Sequence, residues 1–126
     1  MVELAFALPV LLLIVWGVID FGRLLYTANS LASAVREGAR YAAVLPVPST
    51  QVSAIRTAVR RTYVPLGSPA LTDAQIVVAD DTQVNGSVTV RVTGYTWSTI
   101  TPLSAVLGST MTLSRQATFR WERAGP

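Results

Sequence analysis

The sequence predicts an α+β fold: one long N-terminal α-helix whose second half lies on a small antiparallel sheet of about three strands, with a short second helix between them. Three observations predict it. The sixteen residues from Leu4 to Ile19 carry no charge. From Leu24 to Ala42 apolar residues recur at steps of three and four. After residue 86 the period changes to two, in "SVTVRVTGYTW" and again in "MTLSRQATFRW".

The chain has 126 residues, enough for one domain with a modest core. It is 51% hydrophobic and only 13% charged, a balance that points to a membrane or a buried assembly rather than a freely soluble monomer. All ten basic residues are Arg, and the net charge is +3. There is no Cys and no His, which removes disulfides, thiolate or imidazole metal sites, and Cys-His or Ser-His nucleophiles. No catalytic constellation remains, so the chain is expected to be neither an enzyme nor a cofactor carrier. Nucleic acid is not an expected partner, because no basic face is clustered; Arg56, Arg60 and Arg61 are expected to be the solvated side of a helix.

Sixteen uncharged residues are short of the roughly 20 that span a bilayer, but Val2 and a tilt or local thinning extend them. The run is not expected to be a secretory signal, since no basic residue stands before Leu4 and the "ASA" at Ala32–Ala34 is distant. The expected organisation is an apolar membrane or filament-core half over residues 1–22 and a globular domain over 23–126. Through "RLLYTANSLASAVREGARYAAV" the helix becomes amphipathic. Leu24, Ala28, Leu31, Val35, Ala39 and Ala42 form one stripe, with Asn29, Ser33, Arg36, Glu37 and Arg40 opposite. Pro46 and Pro48 end it, giving a rod of roughly 65 Å at 1.5 Å per residue. A short helix follows, capped by Ser49 or Thr50, buried along Val52, Ile55, Ala58 and Val59, and closed by Pro65. "AQIVVA" (Ala74–Ala79) is the first strand, and the Asn85–Gly86 turn leads to the second. "TPLSAVLG" is a helical turn stopped by Gly108. In the last strand Met111, Leu113, Ala117, Phe119 and Trp121 share a face with Arg115, which is expected to find a carboxylate or backbone carbonyls, or to lie in water beyond the helix edge.

Several residues of the long helix invite a functional reading. Pro9 cannot donate to the Ala5 carbonyl and is expected to interrupt or bend the helix within Leu4–Gly17. Gly17 and Gly22 either weaken the helix or permit close helix approach. Asp20 and Arg23, at i and i+3, can pair at the membrane edge. Glu37 and Arg40 form a similar pair, Arg36 and Arg40 repel, and the surplus charge can reach an acid on a neighbouring subunit. Asp73, Asp80 and Asp81 offer oxygen ligands for calcium, but their spacing fits no EF-hand. "NGS" at Asn85–Ser87 matches a glycosylation sequon and serves equally as a turn.

"VELAFALPVLLLIVWGVIDFGRLLYTANSLASAVREGARYAAV" resembles the N-terminal signature of TadE-like pilins and pseudopilins of tight-adherence, type IV-related pilus systems. Its "VE-A-ALP" opening, "DFGRLLY" juncture and "REGARYAA" carry the likeness, which is strong over about 44 residues. The resemblance implies a pilin-like fold and a filament subunit or filament-initiating pseudopilin. It also implies processing by a prepilin peptidase, residence in the inner membrane before assembly, and neighbouring copies and an assembly machinery as partners. It implies a glutamate near the fifth mature position, after a cleaved glycine; Glu3 is third here and no glycine precedes it, so either two mature residues precede Met1, which is the expectation, or the numbering starts inside the mature chain. In this reading Glu3 is a carboxylate buried among subunits and paired with a neighbour's N-terminal amine. Pro9, Gly17, Asp20, Arg23, Arg36, Glu37 and Arg40 join it as candidate assembly residues. The competing reading is a membrane-tethered extracytoplasmic module that does not polymerise.

Overall fold

A computed structural model of the chain describes residues 2–81, 86–102 and 104–121, apart from the side chains of residues 2, 5, 106 and 107. Helix α1 runs over Val2–Ala43 and is followed by a 3-10 turn (Pro48–Gln51) and helix α2 (Val52–Thr62). A second 3-10 turn (Asp73–Gln75) leads into strand β1 (Ile76–Asp81). Strand β2 (Ser87–Ser98), the one-turn helix α3 (Ser104–Leu107) and strand β3 (Thr110–Arg120) complete the order. The sheet is antiparallel, β1-β2-β3, with β2 central. The α+β arrangement of a long apolar helix, a short second helix and three antiparallel strands is therefore the one expected.

The stripe along α1 meets the sheet as its spacing requires. Leu31, Val35, Ala39 and Ala42 are fully buried, in one cluster with Val88, Val90 and Val92 of β2. Leu113 and Ala117 of β3 pack against that cluster, as does Trp121 just beyond it. The opposite residues Asn29, Ser33, Arg36, Glu37 and Arg40 are exposed, or half-buried at most. Ala34 and Gly38 are buried too, because α2 covers a second side of the helix. A Cβ on Gly38 would stand 2.3 Å from Cγ2 of the buried Val59, so only glycine admits α2 at this crossing.

Four local expectations need correction. The helix passes through Pro9 without interruption. A proline removes its own bond to the residue four back, and the neighbouring i to i−4 bonds suffice to carry the rod on. Neither Ser49 nor Thr50 caps α2: Thr50 Oγ1 donates to the Val47 carbonyl at 2.9 Å, and the N-cap is Gln51, without a side-chain bond. Arg56 is not fully solvated; its Nε donates to the Ile76 carbonyl at 3.2 Å and ties α2 to β1. Strand β1 starts two residues later than expected, because Thr72 and Gln75 close a capping box around the 3-10 turn.

The largest difference lies in β2. Val88, Val90 and Val92 point inward as expected, but Tyr95 and Trp97 are buried as well, on what simple alternation makes the outer face. The register explains it. Val92 pairs with Arg115 and Tyr95 with Leu113, so β2 spends one residue more than β3 across Thr93–Gly94. Gly94 has φ 67°, a left-handed conformation that glycine adopts without steric cost. The bulge moves the inward face from even to odd numbers. Arg115 lies at the exposed edge strand, where its Nη1 donates to the Ser114 carbonyl at 2.9 Å; the wet alternative and the carbonyl partner both hold. Met111 and Phe119 stay largely exposed for the same reason, at the edge of the sheet. Asn85 of the turn and sequon lies outside the described residues.

Candidate functional site

Two features of α1 stand out: an exposed apolar segment and a buried polar collar where that segment enters the globular domain. Every described side chain from Leu4 to Val15 is exposed, Phe6 at 76%, and these residues point to all sides of the rod. Trp16 and Gly17 are half-buried and Val18 and Ile19 are exposed again. This helix is long and apolar enough to cross a membrane. Glu3 and Pro9 belong to the exposed segment.

The collar begins one residue later. Asp20 is 6% exposed and Arg23 7%. Arg23 Nη1 lies 3.3 Å from Asp20 Oδ1, the i, i+3 pair that the spacing suggests. The rest comes from remote parts of the chain. Asp20 also accepts from the Ile100 backbone N–H at 3.3 Å and from the Thr101 hydroxyl. Arg23 Nη2 donates to the carbonyls of Gly67 at 2.7 Å and Leu66 at 3.4 Å, and its Nη1 reaches the Ser98 carbonyl at 3.5 Å. Its guanidinium stands over the Trp97 ring, 5.6 Å from the centroid. A buried ion pair gains from such added partners, since desolvation otherwise offsets the Coulomb attraction. The planar, multi-donor guanidinium is the group suited to three carbonyls and a ring face at once. Two loops, after α2 and after β2, are thereby fastened to one turn of α1.

Next to the collar a mostly apolar cleft of about 230 Å³ opens between α1 and the sheet, lined by Gly17, Phe21, Leu24, Trp97, Gly108 and Met111 among others. A Cβ on Gly17 would meet nothing within 4 Å. Farther along, Arg36 is exposed, and Arg40 Nε stands 3.9 Å from Glu37 Oε2 in an exposed pair.

A second internal tie lies behind the collar. Tyr63 and Tyr95 are buried edge to face, with centroids 5.6 Å apart. The Tyr63 hydroxyl bonds to that of Tyr95, which donates to the Pro69 carbonyl at 2.7 Å. Burial, together with the bond to Tyr95, pushes the Tyr63 phenol above its ordinary range.

The eight candidate residues thus fall into three places. Glu3, Pro9 and Gly17 lie along the apolar segment, Asp20 and Arg23 are satisfied inside the chain, and Arg36, Glu37 and Arg40 line the wet side of α1. The loop acids are held apart: Asp73 pairs with Arg60 at 3.4 Å, and Asp80 accepts from the Ser49 N–H at 2.9 Å. No three acids gather as metal ligands among the described residues. Trp97, Ile100, Thr101 and the 66–67 carbonyls were not legible as site components. Gly94 inside a strand pattern was the signal for Trp97, since such a glycine marks a bulge.

The profile of the family described as TadE-like protein matches residues 1–40. No curated protein and no solved structure matches the chain. The matched residues include all eight candidates, the exposed segment and the α1 half of the collar. The N-terminal helix is thus similar to that of TadE-like proteins.

Proposed function

We propose that the chain is a structural subunit of a tight-adherence pilus filament, assembled through its N-terminal apolar helix and serving attachment to surfaces. The observation that supports this reading is the exposed segment. Its apolar residues face every direction on a helix whose far half is sealed into its own domain, so their cover must come from outside the chain. In the inner membrane that cover is lipid. In a filament it is other copies of the helix, delivered by a prepilin peptidase and the pilus assembly machinery to the cell surface. The role is structural, with no catalytic step.

Apolar packing is non-directional and leaves the axial register between copies unset. A carboxylate paired with a neighbour's N-terminal amine sets it, because either charge alone is penalised in an apolar bundle. Glu3 is the residue for this role. Glu3→Ala is expected to reach the membrane at normal levels and to give fewer, shorter fibres. Wild-type fibre numbers and lengths at equal membrane levels would defeat the register role.

Immunogold labelling of sheared surface fibres tests the subunit reading. Label along the shaft is the expected result. Label at one end alone would turn the reading to a filament-initiating pseudopilin. Absence from all sheared material, with the chain present in membranes, would leave a tethered module that does not polymerise.

A further inference from the structure

The uncharged run is too short for the bilayer it is read to cross. Sixteen residues at 1.5 Å each rise about 24 Å, against a hydrocarbon core of about 30 Å. The shortfall is about one helical turn, and the next turn is the one that carries Asp20 and Arg23. Two charges facing lipid there would be costly. They do not face it: both are nine-tenths buried, and their partners are inside the collar. What the collar turns outward is apolar. Phe21 is 60% exposed, Ile100 62% and Met111 53%, and Leu25 and Leu66 are exposed beside them. Their height is fixed by the collar itself, since the Ile100 N–H and the Leu66 carbonyl bond to the Asp20–Arg23 turn, and Met111 lines a cleft with Gly17 and Asp20. The two stretches that wrap this turn, 62–72 and 92–114, contain none of the chain's seventeen charged residues. Exposed hydroxyls such as Ser109 and Thr110 suit the boundary between hydrocarbon and headgroups.

We propose that the collar is a lipid-docking surface: before assembly, the end of the globular domain nearest the apolar helix sits in the interfacial layer of the bilayer, and the cleft beside Gly17 seats the upper part of a phospholipid acyl chain. The inference rests on the reading of α1 as a membrane span and adds to it the depth at which the domain stops. Its partner is bulk phospholipid, recognised by apolar continuity with the helix. The cleft begins where the exposed segment ends, and the one charged residue in its lining, Asp20, is already engaged by Arg23, the Ile100 N–H and the Thr101 hydroxyl.

These 126 residues contain no cysteine, so single spin labels can be placed on a clean background. Ile14→Cys, Ile100→Cys, Met111→Cys and Ser53→Cys, all at exposed positions, are reconstituted in phosphatidylethanolamine–phosphatidylglycerol vesicles. Accessibility to oxygen and to a water-soluble nickel chelate is then read by power saturation. The expected result is oxygen accessibility without nickel at 14, loss of nickel accessibility with partial oxygen access at 100 and 111, and full nickel accessibility at 53. Nickel accessibility at 100 or 111 equal to that at 53, with 14 in the bilayer, overturns the docking inference and leaves the span intact. Nickel accessibility at 14 overturns the span itself and the inference with it.

Discussion

The two halves of α1 are one rod in two different solvents. Between Leu4 and Ile19 the side chains are mostly large and apolar on all sides, and most of them are exposed. Between Leu31 and Ala43 the buried positions are mainly Ala, Gly, Val and Leu, and two other elements close over them. The difference is one of distance. The sheet and α2 must come close to the far half, which favours small residues, whereas the near half has only to offer area to whatever surrounds it. Stability of the globular domain should therefore depend on the far half and the collar and be indifferent to the near half.

The collar offers the strongest test of that division. Arg23→Ala leaves Asp20 buried without its cation, a loss of about 3–5 kcal/mol for one partner of such a pair. Urea unfolding of the detergent-solubilised chain should show it, while the double replacement Asp20→Asn, Arg23→Met should cost less than the two single changes together. A loss under about 1 kcal/mol for Arg23→Ala would mean that the loops hold without the collar.

Gly38→Ala probes the far half directly. Overpacking against Val59 costs roughly 1–3 kcal/mol, and the better helix propensity of Ala returns about 1. A net loss of up to about 2 kcal/mol is expected in the same unfolding measurement. Val59→Ala should be less harmful on the Gly38→Ala background than alone, because contacting residues couple.

Tyr63 adds a pH dependence. Its folded phenol titrates above the unfolded one, so its contribution is fully present below the unfolded value of about 10 and is lost as pH rises beyond it. The slope is at most about 1.4 kcal/mol per pH unit. Tyr63→Phe should flatten the alkaline limb of the stability profile, and an unchanged limb would count against the buried tyrosine pair. The smallest effect belongs to the wet side of α1: Arg40→Ala removes a 3.9 Å exposed pair and should change stability by no more than about 0.5 kcal/mol.

How much of this the sequence disclosed follows from where each partner lies in the chain. The helix stripe, the alternating strands and the uncharged run depend on neighbours within a few residues, and their outlines were legible. Asp20 and Arg23 were legible as a pair for the same reason. Their burial was not, because it is made by carbonyls, an N–H and a hydroxyl some 43 to 81 residues away. The interruption expected at Pro9 is the opposite case. A residue that breaks many helices removes one hydrogen bond here, and the continuity of 42 residues outweighs it. The closeness of Gly38 to Val59 leaves no mark in local pattern at all, since it depends on how two helices cross.

The bulge at Thr93–Gly94 has a consequence for how this fold tolerates change. A strand of constant phase can serve one layer. With one residue out of phase, β2 serves two: its first half holds the far part of α1, and its second half carries Trp97 to the guanidinium that fastens the near part. Connecting loops usually absorb a gain or loss of one residue. Here the same change would rotate Tyr95 and Trp97 into water while leaving the valines in place, so the domain would keep the half of its core built on the valines and lose the half that grips the collar.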